Sequence, residues 1–140
     1  MAKRIIIDDK ERVSEWVAER IPNCSSWDGV YEAIGLEQDG ELIAGVVYDG
    51  YVEGARINMH VAGVGKRWMT REFLVGCFKY PFVQLGVNVV IGLVESTNEA
   101  ALKFDKHLGF TEACRIEGGA KDSDLIVLTM QRKTCRFLGI

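Results

Sequence analysis

The residues whose chemistry can be read first are two histidines, one basic loop and one asparagine. His60 stands near the end of the apolar run Ala55–Val61, which reads as a strand. Imidazole changes charge near neutral pH, so His60 is the candidate general base of the chain. The alternative is a histidine hydrogen-bonded within the sheet. His107 has charged neighbours in Asp105 and Lys106 and reads as surface. Gly65-Lys66-Arg67-Trp68-Met69-Thr70-Arg71 leads into a segment where Phe73, Leu74, Cys77 and Phe78 fall on one helical face. The first N–H groups of a helix lack internal partners and lie at its positive end, which makes a site for an anion such as a pyrophosphate. Lys66, Arg67 and Arg71 would add charge-assisted contacts. On the plainer reading Thr70 only caps the helix and the cations face water. Asn98 follows an apolar run and opens another helical segment; its side chain has one acceptor for a cap and two donors for other work.

Cys24, Cys77, Cys114 and Cys135 form no C-x-x-C pair and no zinc-finger spacing with His60 or His107, so no metal site is expected. They read as reduced, partly buried thiols of a cytoplasmic protein.

The elements that must position these residues follow from length and pattern. A chain of 140 residues, 48% hydrophobic and 26% charged, suits a single domain over 1–140. The net charge of −3 does not indicate a nucleic-acid partner, although 65–71 and 132–136 are local basic runs. The apolar stretch at Ile5–Ile7 is too short for a signal peptide, and no stretch is long enough to span a bilayer, so no membrane partner is expected. A strand over 4–7 precedes a helix over about 10–21, with Val13, Trp16, Val17 and Ile21 on one face. Asp39-Gly40 joins strands 31–38 and 41–48, and Asp49-Gly50 marks a second turn before strand 55–61. Pro81 should kink or end the helix over 70–78. Val87–Val94 is almost unbroken apolar, as in a strand covered on both faces. A helix over 98–108, closed by Gly109, leads to strands 110–116 and 125–130, with Gly118-Gly119 and 122–124 in the loop between them. The order β-α-β-β-β-α-β-α-β-β implies a mixed, mainly antiparallel sheet of about seven strands flanked by three to four helices.

That order, and the segment Asn98-Glu99-Ala100-Ala101-Leu102-Lys103-Phe104-Asp105-Lys106-His107-Leu108-Gly109-Phe110, resemble the GNAT N-acetyltransferase superfamily. The likeness follows the pattern N-x-x-A-[IL]-x-[LF]-Y-x-x-x-G-F, matched at Asn98, Ala101, Leu102, Phe104, Gly109 and Phe110. The tract 78–86, Trp68-x-Thr70-Arg71 and Cys135-Arg136 resemble a subgroup of small GNAT-like proteins that includes phage-encoded members.

The resemblance implies acetyl-CoA as the acyl donor and an amine, small-molecule or protein, as acceptor. It implies that Gly65, Lys66, Arg67, Trp68, Met69, Thr70 and Arg71 meet the pyrophosphate. Here Trp68 stands where a glycine is usual and Gly65 where Gln or Arg is usual. It implies that Asn98, with Ala101 and Phe104, lies along the pantetheine arm. Backbone N–H groups of Val61, Ala62 and Gly63 would serve the oxyanion, and His60 would take the amine proton. Asp105 occupies the place of a tyrosine that can protonate the leaving thiolate. An ordinary aspartate is ionised at pH 7, so it could donate a proton only if burial raised its pKa; it could instead orient the amine, or face solvent without a role. Glu95 is a secondary contact for the amine. A homodimer is a further implication. Two other classes stay open: a GNAT-shaped binding module without catalysis, favoured by Trp68, Gly65 and Asp105, and a nucleic-acid base modifier on the same fold.

Overall fold

A computed structural model describes residues 2–24, 27 and 29–138. Seven strands form one sheet: β1 (Lys3–Ile6), β2 (Tyr31–Gln38), β3 (Glu41–Val52), β4 (Arg56–Gly63), β5 (Val89–Glu95), β6 (Thr111–Ala120) and β7 (Ser123–Gln131). Their spatial order is β1-β2-β3-β4-β5-β7-β6, and only β4 and β5 run parallel. Three α-helices, α1 (Lys10–Ala18), α2 (Arg71–Lys79) and α3 (Glu99–Leu108), cover the sheet. This is the mixed, mostly antiparallel sheet with flanking helices that the pattern of apolar runs implied.

Side-chain alternation along the strands sorts the core into two layers. On one face Val13 and Val17 of α1 pack with Ile6, Ala33 and Val47. Gly35 and Gly45, register partners on β2 and β3, allow this close approach. A Cβ at Gly45 would fall 2.6 Å from Val17, and one at Gly35 would fall 2.8 Å from Val13. On the other face Phe73, Cys77 and Phe78 of α2 and Leu108 of α3 join Ile57, Met59, Val90, Val94, Ile126 and Leu128. Phe78 stacks on Phe137 of the C-terminal 3-10 turn at 5.0 Å, which ties the chain end to α2.

Three boundaries differ from the expected ones, each for a local reason, and the helix over 70–78 ends before Pro81 as expected. Helix α1 stops at Ala18, and Arg20, Ile21 and Cys24 donate to carbonyls three residues back as the chain turns. Asp9 takes the N-cap position of α1 without a side-chain cap bond. Strand β3 does not turn at Asp49-Gly50; Gly50 at φ 62° forms an irregularity between Asp49 and Val52, and the chain turns after it, with Gly54 at φ 71°. Pro81 carries no N–H, and α2 passes into a π-helical turn over Tyr80–Gln84, where Leu85 N–H donates to Tyr80 O. Gly118-Gly119 lies inside an irregular end of β6, so the β6–β7 hairpin turns at Lys121-Asp122. Among the described residues no helix is long and apolar enough to cross a membrane.

Candidate functional site

The parallel pair β4–β5 is in register only from Arg56–Asn58 against Val89–Ile91. Strand β4 continues to Gly63 and β5 to Glu95, so their C-terminal halves part. On its other side β4 stays paired, Val61, Ala62 and Gly63 opposing Val46, Gly45 and Ala44. Its backbone groups facing the gap have no strand partner there. A cavity of about 480 Å³ occupies this region. Ligand sites in sheets with parallel strands favour the carboxyl ends of those strands.

His60 enters the cavity from the α1 face. Ile57, Met59 and Val61 of β4 pack into the α2 layer, so Asn58, His60 and Ala62 alternate to the α1 side. His60 Nε2 lies 2.9 Å from Oδ1 of Asp49, a diagonal neighbour on β3. The Trp27 ring packs on the imidazole at a centroid distance of 4.8 Å, and Trp27 Nε1 donates to Ser14 O of α1 at 2.8 Å. The bond from His60 is the largest influence holding the Asp49 carboxyl below its ordinary range, against its partial burial.

Asp105 enters from the α3 face. It is 8% exposed and lies over β5 at Gly92, where an added Cβ would meet its Oδ2 at 3.3 Å. A larger residue at 92 would press on the carboxyl. Burial pushes the Asp105 pKa up to about 7, and the charge of His60 across the gap opposes part of that rise. This carboxyl therefore keeps its proton to a higher pH than an ordinary aspartate does.

The cavity is completed by three further segments. Asn98 and Ala101 supply the start of α3, where Asn98 Oδ1 accepts from Ala101 N–H at 3.3 Å. Its amide NH2 is not used by this cap. Asn23, at φ 60°, belongs to the segment following α1 and donates from Nδ2 to Glu95 Oε2 at 2.8 Å. Lys121 stands at the tip of the β6–β7 hairpin. Of the stretch 24–30, Cys24 and Trp27 line the cavity, and residues 25, 26 and 28 lie outside the described residues.

Of the residues singled out in sequence, His60, Val61, Asn98, Ala101 and Asp105 therefore meet around one space, with Glu95. The loop 65–71 lies beyond it. Lys66, Arg67 and Arg71 are exposed, and Lys3 Nζ joins them by donating to Arg67 O at 3.0 Å. Thr70 Oγ1 accepts from Phe73 N–H and so caps α2, which leaves the N–H groups of Arg71 and Glu72 without helical partners. Met69 and Thr70 N–H groups close turns onto Lys66 O and Trp68 O. Trp68 departs from the expectation for its side chain. The indole is 4% exposed, packs on Phe104 at 4.9 Å and on Phe73 at 6.3 Å, and donates from Nε1 to Gly65 O. It belongs to the core, with Phe104, and Gly63 is bare beneath it. Any contact of residue 68 with an anion is left to its backbone. Asp49, Asn23 and Lys121 had no motif to mark them in sequence. All four cysteines are free thiols, and no group of metal-ligating side chains occurs among the described residues.

Solved structures share this architecture. A chimera of the spermidine N-acetyltransferase SpeG from Vibrio cholerae and hSSAT superposes with a TM-score of 0.76 over 99% of this chain and 100% of that one, at 11% identity. The dodecameric spermidine N-acetyltransferase from Vibrio cholerae matches with a TM-score of 0.63 over 76% and 67%, at 16% identity. The N-acetyltransferase PseH of Campylobacter jejuni, in complex with acetyl coenzyme A, gives 0.55 over 74% and 70%, at 18% identity. At these identities the likeness defines the fold: the chain has the GNAT fold. Nothing in it supports the phage-borne subgroup. No protein-family model and no curated protein matches the sequence.

Proposed function

We propose that this protein is an N-acetyltransferase that moves the acetyl group of acetyl-CoA to an amine held in the cavity between β4 and β5. The observation that carries the reading is the placement of His60 and Asp105 on opposite sides of one cavity at the parting of two parallel strands.

The residues present fit the donor. The N-terminus of α2 offers free N–H groups, and Lys66, Arg67 and Arg71 surround it with positive charge, which suits a pyrophosphate. The NH2 of Asn98 and the unpaired edge of β4 suit the amide groups of an extended arm. Acetyl-CoA supplies the acetyl group as a thioester.

The remaining chemistry belongs to the chain. An aliphatic amine arrives protonated at neutral pH and is not a nucleophile until it loses a proton. His60 is the group in the cavity that can accept it. N–H groups of Val61–Gly63 that face the gap can hold negative charge on an oxygen. Asp105, its pKa raised by burial, can hand its proton to an anion formed beside it. The nitrogen gives up two protons on the way from ammonium to amide: His60 passes the first to water and takes the second, which then restores the proton given at Asp105, so one proton is released to solvent per turnover. Glu95 is placed to attract the incoming cation, with Asn23 holding its carboxylate. The acceptor is therefore a small-molecule amine in this reading, and free thiols throughout suit the cytoplasm.

The test is a thermal unfolding scan with acetyl-CoA, using a free adenine nucleotide as control. Binding at a hundredfold excess over Kd adds about 2.7 kcal/mol. A specific shift followed by amine-dependent release of free thiol supports the reading. No shift at millimolar acetyl-CoA would reject it.

A further inference from the structure

We propose that Asp49 is the positioning residue of this site, holding His60 in the tautomer that carries its hydrogen on Nε2 and leaves Nδ1 as the one ring atom able to accept a proton. This deepens the acetyl-transfer reading and rests on it for the kinetic consequence, while the tautomer itself can be measured without any activity.

The backbone explains why Asp49 is where it is. It is the last residue of β3 in regular register, opposite Asn58, before the irregularity that ends at Val52 opposite Arg56. Gly50 makes that irregularity in the left-handed region at φ 62°, and a Cβ there would sit 2.6 Å from Asn58 Nδ2. The amide of Asn58 is thus packed under the irregularity, and its bond to the Asp49 carboxyl adds to that of His60. Irregularities of this kind re-aim side chains next to sites. Here the result is a carboxylate aimed at the imidazole two residues along β4.

The direction of the hydrogen follows from the partners. The Asp49 carboxyl is held ionised by His60 and Asn58, and an ionised carboxylate only accepts. The hydrogen in the 2.9 Å contact is therefore on Nε2. Trp27, fixed to Ser14 O, packs against the ring and limits its rotation. The other titratable or charged groups of the cavity are Asp105 on α3, Glu95 at the end of β5, Lys121 on the hairpin and the Cys24 thiol. Asp49 is the group bonded to the imidazole. A proton accepted at Nδ1 gives an imidazolium whose charge the same carboxylate stabilises.

The experiment is nitrogen-15 NMR of the ring nitrogens in the full chain and in Asp49→Asn. The chain has two histidines, so a His60→Gln spectrum assigns the signals. In the unsubstituted protein His60 is expected as the Nε2–H tautomer. In Asp49→Asn the carboxamide can present a donor or an acceptor, so the Nδ1–H form should gain population while the His107 signals stay in place and report an intact fold. Under acetyl transfer the same variant should lose roughly 10²-fold in kcat with KM for acetyl-CoA little changed, and Asp49→Glu should recover part of it. An Nδ1–H tautomer in the unsubstituted protein, or a tautomer ratio indifferent to Asp49→Asn, overturns the proposal. If the tautomer shifts as expected but no amine is acetylated by the unsubstituted protein, the role of Asp49 stands and the acetyl-transfer reading fails.

Discussion

His60 and Asp105 face one cavity from opposite sides of the same sheet, His60 from the α1 layer with Asp49 and Trp27, Asp105 from the α3 layer over Gly92. They can do so because β4 and β5 cease pairing after Asn58 and Ile91. An intact sheet would keep the two groups in separate layers. The charge on one influences the proton on the other across this gap.

Replacing Asp105 by Asn should remove a proton donor without removing volume. We expect kcat to fall about 10²-fold, with acetyl-CoA affinity retained. In the unsubstituted protein the rate of acetyl transfer should decline as pH rises through about 7, where Asp105 loses its proton. That decline should be missing from the residual activity of Asp105→Asn. Steady-state kinetics from pH 5.5 to 9 check both points.

The same carboxyl should leave a mark on stability. Its folded pKa of about 7 lies above the ordinary aspartate value of 3.8, so the folded state binds the extra proton between these limits. Stability from this group is therefore whole below about pH 4 and declines as pH rises through 7, by roughly 4 kcal/mol when the full displacement is realised. Asp105→Asn, which cannot ionise, should gain stability relative to the parent as pH rises from 4 to 8. Urea unfolding at several pH values reads this; a constant difference across the range would rule it out.

Asn98 is given two tasks that one substitution can separate. Asn98→Asp keeps an acceptor for Ala101 N–H and so keeps the cap of α3. It removes the NH2 donors and adds a negative charge. Melting temperature should hold while acetyl-CoA binding weakens about tenfold or more, by calorimetric titration. Asn98→Ala should instead cost about 1 kcal/mol of stability as well. Equal binding by Asn98→Asp would reduce Asn98 to a cap.

The Trp68 indole packs directly over Gly63. A Cβ at Gly63 would collide with the Trp68 indole, so Gly63→Ala should cost about 1–3 kcal/mol through overpacking. Trp68→Ala should cost about 3–5 kcal/mol through the cavity it leaves. The double variant should cost less than the sum of the two, because the alanine at 63 fills space that the indole vacates. Additive losses in denaturant titrations would mean that the two residues do not share a contact.

Much of the fold was legible in the chain because local patterns set it. The glycine after Leu108, the Asp39-Gly40 turn and the alternation of apolar runs are signals over a few residues, and they gave the seven strands and three helices in order. Asn98 and His60 could be singled out for the same reason, by type and by place at the end of a strand. Three features were decided elsewhere. Asp49-Gly50 read as a turn because a D-G pair usually is one; the partner strand made it an irregularity that aims a carboxylate. Trp68 read as part of an anion loop because of its position; the space over Gly63 drew its indole into the core. Asp105 read as a proton donor only if burial raised its pKa, and otherwise as a group that orients the amine or faces solvent, since nothing in its neighbours along the chain foretells burial. The sequence by itself determined which elements form and in what order, through propensity and periodicity. Only the tertiary structure decided which side chains share a cavity, because that depends on where β4 and β5 part, and the pKa of a carboxyl depends on what surrounds it in space.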